Sequence, residues 1–227
     1  MKKYLTVSNV LLLFSILFAT ALAIVFSSLM TWLVWASAIF GILTAVFSAK
    51  GKWICFVFDL LSYAFYIYIC LVEKYYGELI LSIIIIFISI ISLFEWRNNQ
   101  INEVVKINKL KNNEIVLAGT IGIVGLVVYI MILHFMGSDM SILNAVPTIA
   151  YLLGYYFCVR RSILQFCCYI AYEVLFIILW IITACRGEFE SVIFLVGAIS
   201  ELFYLIIGYI NWNKLTKQQA INKQNVT

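Results

Sequence analysis

Apolar runs long enough to cross a lipid bilayer recur eight times in this chain, at about 8–28, 31–48, 53–72, 78–95, 116–136, 142–159, 163–184 and 189–211. A helix needs about 20 residues to traverse the hydrocarbon core, where each backbone polar group must find its partner within the segment. Eight such helices use roughly 160 positions, which leaves little of a 227-residue chain for an extramembrane domain. The balance of residues agrees. Hydrophobic residues make up 65% of the chain and charged residues 11%, whereas a soluble domain is about a quarter charged. That disfavours both a water-soluble enzyme and a nucleic-acid-binding domain.

The first run follows Lys2 and Lys3 and contains Ala21-Leu22-Ala23, a small-residue pattern that can mark a cleaved leader. The length of the run favours a retained span. With eight spans and the amino terminus inside, Lys2, Lys3, Lys50, Lys52, Arg97, Lys106, Lys109, Lys111, Arg160, Arg161, Lys214, Lys217 and Lys223 all fall on the cytoplasmic side, against Lys74 and Arg186 outside. Retention of basic loops produces that asymmetry. A multi-pass membrane protein with both termini cytoplasmic is expected. Its longest polar stretch, 97–115, reads as a solvated cytoplasmic loop between two halves.

The halves resemble each other. The second span carries Ser37, Gly41, Thr44 and Ser48, and the sixth carries Asn144, Thr148, Tyr151 and Tyr155, at one common spacing and 107 residues apart. Each set falls on one helix face. A basic turn follows each span, Lys50-Gly51-Lys52 or Arg160-Arg161, and each half closes on an aromatic signature, Glu95-Trp96-Arg97 or Asn211-Trp212-Asn213. The expected organisation is an all-α integral membrane protein with an N-terminal span (1–30), a three-helix repeat (31–96), a loop and linking helix (97–140), a second repeat (141–213) and a tail (214–227). A single linking span makes the repeats parallel. Gly119, Gly122 and Gly125 would let neighbours pack closely on it.

Charged groups inside a membrane cost at least a few kcal/mol each, so Asp59, Glu173 and Glu201 should face the bundle interior. On the seventh span Gln165, Tyr169, Tyr172, Glu173 and Trp180 share a face bordered by Phe166, and Tyr63 and Tyr66 lie on the Asp59 face of the third. An aromatic face with an amide and a carboxylate suits a flat heteroaromatic ring and a cation. With Asn144, Thr148, Ser82 and Glu201 these residues form the candidate substrate-binding set. Packing competes as an explanation, since 14 tyrosines and 17 phenylalanines produce aromatic stripes anyway. The six cysteines and His134 show no ligand spacing, so no metal and no cofactor is expected. No nucleophile, base or metal constellation for catalysis is visible.

Gly41, the turn Lys50-Gly51-Lys52, Tyr76-Gly77-Glu78 and Trp96 in the first half, and Arg160-Arg161, Glu173, Gly208-Tyr209 and Trp212 in the second, resemble the PnuC family of bacterial vitamin transporters. The resemblance covers about residues 31–214. It implies a SWEET-like pair of three-helix repeats and uptake by facilitated diffusion, with a cytoplasmic kinase trapping the vitamin as its phosphate. Nicotinamide riboside is the leading substrate. Where the family shows two tryptophans spaced W-x-x-W this chain has Phe166 and Tyr169, and where it shows a glutamine this chain has Ser82. A proton-coupled carrier of thiamine, riboflavin or a deoxynucleoside is the alternative, and a non-transporting intramembrane scaffold is a second. Whether copies of the chain assemble is left open.

Overall fold

The computed structural model of the chain describes residues 2–26, 28–73, 76–135, 141–185 and 191–224. Lys74 and Arg186, the basic residues assigned to the outer side, lie outside the described residues, as does the side chain of Asn144. Each apolar run forms a helix: α1 (Lys2–Phe26), α2 (Leu29–Ala49), α3 (Cys55–Val72), α4 (Tyr76–Asn98), α5 (Asn112–Phe135), α6 (Ser141–Val159), α7 (Leu164–Cys185) and α8 (Ser191–Gln224). Six of them are long and apolar enough to cross a membrane; the apolar described stretches of α1 and α6, Leu13–Val25 and Ala145–Val159, are shorter. On α5, Val116, Leu117, Ile121, Ile123 and Val124 are all more than half exposed, a face that lipid covers favourably and water does not. The chain is a nearly all-helical, multi-pass membrane protein.

Six helices close a ring in the order α2, α3, α4, α6, α7, α8 and back to α2, while α5 packs outside against α6, and α1 outside against α8 and α2. The ring is regular in a specific way: the neighbours α2/α3, α3/α4 and α2/α8 of one half correspond to α6/α7, α7/α8 and α6/α4 of the other. Polar contacts anchor α1 to its neighbours. Ser200 donates to Ser15 Oγ at 2.6 Å, and the Trp35 indole donates to Thr20 Oγ1 at 3.1 Å.

The same correspondence appears in the turns. At the end of α2, Gly51 N donates to Ser48 O and Lys52 N to Phe47 O; at the end of α6, Arg161 N donates to Cys158 O and Ser162 N to Phe157 O. Both are helix ends closed by a residue in the left-handed region, with φ of 67° at Gly51 and 55° at Arg161. Glycine is needed at the first: a Cβ there would lie 2.9 Å from Val104 Cγ1. Arg161 accepts the costlier backbone while its guanidinium approaches Glu95 at 3.5 Å. These turns match at a spacing of 110 residues, one helical turn away from the 107 of the polar stripes.

The stretch 97–115, solvent-exposed at most of its positions, carries a folded clasp between α4 and α5. Strands β1 (Gln100–Ile101) and β2 (Val104–Val105) pair antiparallel across Asn102 and Glu103, whose φ values of 50° and 61° are those of a tight two-residue hairpin. Val105 is fully buried. Its N–H donates to Gly51 O, and Asn108 N–H donates to Arg161 O, so the clasp holds both basic turns. The expected tail continues α8 without a break to Gln224. From there Gln219 accepts from Ile107 N and donates to Val105 O, at 3.0 and 3.1 Å.

Candidate functional site

A cavity of about 770 Å³ occupies the middle of the ring, within the range that accommodates a small organic ligand. It runs from Ser48, Cys55 and Cys158 near the basic turns to Glu78, Leu133 and Phe194 towards the other helix ends. At the basic end it stops on an aromatic plug. Trp96 and Trp212 are fully buried with ring centroids 5.3 Å apart. Phe56 sits edge-on to Trp96 at 5.0 Å, and Phe166 edge-on to Trp212 at 5.2 Å. The Trp96 indole donates to Cys158 O at 2.8 Å and the Trp212 indole to Ser48 O at 3.0 Å. Each tryptophan therefore satisfies its polar atom on the opposite half, as a buried indole must.

Above the plug the wall is tyrosine. The rings of Tyr151 and Tyr172 lie 4.3 Å apart, Tyr169 lies 5.7 Å from both Tyr151 and Tyr155, and the row continues through Phe176, Trp180 and Phe194. Facing them, Tyr63 and Tyr151 hydroxyls meet at 2.6 Å, and Tyr151 and Tyr155 at 3.3 Å. Tyr155 then donates to both oxygens of buried Asp59, at 3.1 and 3.0 Å, while Ser89 donates to Oδ2. Asp59 is thus a fully engaged acceptor tying α3, α4 and α6 together.

The second acidic group is less satisfied. Glu173 on α7 and Glu201 on α8 are close neighbours in the cavity wall. Glu173 is 3% exposed, and its Oε2 has no hydrogen-bond partner among the described residues. Gly41 makes room for the pair, since a Cβ there would collide with Glu201 Oε1. Asp59, Glu78, Glu173 and Glu201 line the cavity, and none of the described lining residues is Lys, Arg or His.

Of the candidate residues read from the sequence, Tyr63, Tyr66, Ser82, Thr148, Tyr169, Tyr172, Glu173, Trp180 and Glu201 line this cavity. Ser82 lines it with its hydroxyl bonded to Glu78 O at 2.7 Å, the local bond a membrane serine commonly makes. Gln165 and Phe166 do not line it. They begin α7 at the level of the plug, where Phe166 packs against Trp212 and on Gly208. Gln165 is fully buried with neither amide atom bonded among the described residues. Tyr151 and Tyr155, read from the sequence as stripe residues, and Asp59, read as a carboxyl group facing the bundle interior, stand in the wall. Tyr129 of α5 lines the cavity too and hydrogen-bonds Thr148; reading α5 as a connector gives no signal for it.

Residues 31–214 match the sequence pattern of the family described as nicotinamide mononucleotide transporter. The chain is 30% identical over 197 residues to the nicotinamide riboside transporter PnuC of Neisseria mucosa, covering 84% of this chain and 75% of that one. The chain belongs to the PnuC family. A crystal structure of the vitamin B3 transporter PnuC superposes with a TM-score of 0.79 at 27% identity, covering 93% of this chain and 92% of that chain. These PnuC relatives are transporters and not enzymes, so the cavity is that of a transporter-family protein. In this PnuC-family chain Tyr169 contributes its ring to the wall while Phe166 belongs to the plug.

Proposed function

We propose that the chain carries a nucleoside-like vitamin, nicotinamide riboside first, by facilitated diffusion through the cavity between two parallel three-helix units, α2–α4 and α6–α8. The observation that carries this reading is the cavity itself: a closed ring of helices around a tyrosine wall, acidic side chains and an aromatic plug. Stacking on Tyr151 and Tyr172 suits a pyridinium ring, and the wall hydroxyls suit a ribose. Carboxyl side chains with no described basic partner repel a phosphate ester. That favours the riboside in the name of the Neisseria relative over the mononucleotide in the family's description.

The basic turns, the clasp and the end of α8 gather at one end, which the excess of Lys and Arg assigns to the cytoplasm of a bacterial inner membrane. On eight crossings both termini lie there and the tryptophan plug is the cytoplasmic gate. A cytoplasmic kinase then traps the vitamin, because the added phosphate removes it from the exchangeable pool.

The test is flux into proteoliposomes that contain the full chain and no kinase. Labelled nicotinamide riboside should equilibrate to equal concentrations and go no further, while an enclosed kinase and its nucleotide should permit accumulation of phosphorylated product. Concentration of unmodified riboside by a proton gradient would replace this reading with the proton-coupled one. Absence of flux for riboside, thiamine, riboflavin and deoxynucleosides alike would favour a scaffold.

A further inference from the structure

Each tryptophan of the plug seals one of the two junctions between the half-rings: Trp96 of α4 donates to Cys158 O of α6, and Trp212 of α8 donates to Ser48 O of α2. The clasp crosses from one half to the other at the same end, with Val105 packed in one cluster with both tryptophans. On the first half, Val105 N–H donates to Gly51 O at 2.9 Å and Lys106 N–H to Asn99 O at 2.8 Å; on the second, Asn108 N–H donates to Arg161 O at 3.0 Å. Gln219 completes the crossing from α8. Its amide donates to Val105 O at 3.1 Å and accepts from Ile107 N–H at 3.0 Å.

Gln219 follows Trp212 by seven residues, about two turns along one face of a helix, and α8 is unbroken between them. A tilt of α8 that carries Trp212 off Ser48 therefore carries Gln219 off the clasp. The clasp itself belongs with the first half. It follows directly from α4, and Val104 and Val105 lie so close on Gly51 that a Cβ there would be 2.9 and 3.4 Å from their Cγ1 atoms. Val105 is fully buried, which shields its bond to Gly51, whereas Gln219 is only half-buried. Water can take over the partners of the Gln219 amide as it leaves, so this is the attachment that can be made and broken repeatedly.

We propose that Gln219 is a positioning residue of the gate: its amide latches α8 to the clasp, holds Trp212 over Ser48, and lets go when the plug parts. This rests on the reading of the plug as a gate. A latch of this kind sets how often the gate is open, and Gln219 acts through α8 without touching the contents of the cavity.

The experiment is site-resolved labelling of Cys158, which lines the cavity beside the plug at 4% exposure. Inside-out membrane vesicles carrying the full chain present the face with the basic turns to a membrane-impermeant maleimide, and peptide mass spectrometry follows modification of Cys158 with time. With no substrate present, Gln219→Ala should be labelled about tenfold faster than the wild type, as the loss of two hydrogen bonds shifts the gate towards its open state. Gln219→Glu keeps the acceptor for Ile107 but loses the donor to Val105, and should fall between the two. Gln218→Ala, at an exposed position on the same helix, should match the wild type. Cys70 of α3, fully buried and outside the cavity lining, should be modified at one rate in every variant. If Gln219→Ala does not fold, the acceleration by Gln219→Glu decides. Unchanged labelling of Cys158 in the Gln219 variants, equal acceleration by Gln218→Ala, or parallel acceleration at Cys70 overturns the latch and leaves the transporter reading intact. Faster labelling at Cys158 alone, in a chain that passes none of the candidate substrates, keeps the latch on the plug and overturns the transport reading.

Discussion

The plug and the cavity wall are built from the same two half-rings of helices, yet the halves match at the plug and differ at the wall. At the plug, matched positions do matched work. Ser48 and Cys158 each accept an indole N–H, Gly51 and Arg161 each close a helix, and Phe56 and Phe166 each sit edge-on to a tryptophan. One helical turn above, the spacing of 110 residues puts Tyr169 against Asp59 and Glu173 against Tyr63. Similarity there is lost, and acid stands where the other half has a phenol. In the proposed function the plug is a gate, whose two surfaces part along their junction and so favour likeness, while the proposed binding wall meets an unsymmetrical ligand with unlike groups.

The largest effect should come from the plug. Trp96→Ala and Trp212→Ala each remove a fully buried indole and should cost about 3–5 kcal/mol, read as the unfolding midpoint in detergent. The comparison predicts similar losses for the two. Tolerance of one change alongside collapse of the other would break it.

A smaller effect, confined to the wall, follows from Gly154. A Cβ there would collide with the Tyr169 ring, whereas one on Gly125 of α5 would meet Ile149 Cδ1 at 3.7 Å, ordinary contact. Gly154→Ala should cost about 1–3 kcal/mol through overpacking and weaken riboside binding by about tenfold as Tyr169 shifts. Gly125→Ala should do neither. Equal behaviour of the two in a binding titration would remove Tyr169 from the site.

The smallest effect lies on the clasp. Lys52 bonds Glu103 at 3.0 Å and holds its carboxyl below the usual glutamate range. A depressed carboxyl contributes stability above its unfolded pKa and loses it as pH falls through the folded value. Glu103 is exposed, so Glu103→Gln should barely move the melting temperature at pH 7. Whatever difference remains should vanish in acid. A large difference at pH 7 that disappears in acid would mean that the hairpin is held by charge and not by Val105.

Much of the scaffold was legible because membrane helices announce themselves by apolar length, and because a basic turn and a closing tryptophan recur. Glu173 and Glu201 were legible for a related reason, that intramembrane carboxyl groups must be housed in the interior. Depth was not legible. A helical wheel gives Phe166 and Tyr169 nearly one direction, but only the packing of Phe166 on Gly208 shows that it stands below the cavity floor. The clasp was hidden by its polar composition, although Val104, Val105 and Ile107 sit within it; their burial depends on turns more than 50 residues away in either direction. Tyr129 was hidden because its role depends on where α5 docks, which no local pattern records.

The central claim is that substrate occupies the ring between the tyrosine wall and the acid pair. The most direct measurement is the structure of the full chain in a lipid nanodisc with nicotinamide riboside bound. The account predicts the pyridinium within about 6 Å of the ring centroids of Tyr151 and Tyr172, with its charge facing Glu173 and Glu201 and the Trp96–Trp212 contact beneath it. Ligand found instead in the apolar groove of Phe14, Phe18, Val196 and Phe203 between α1 and α8, with the central ring empty, would contradict it.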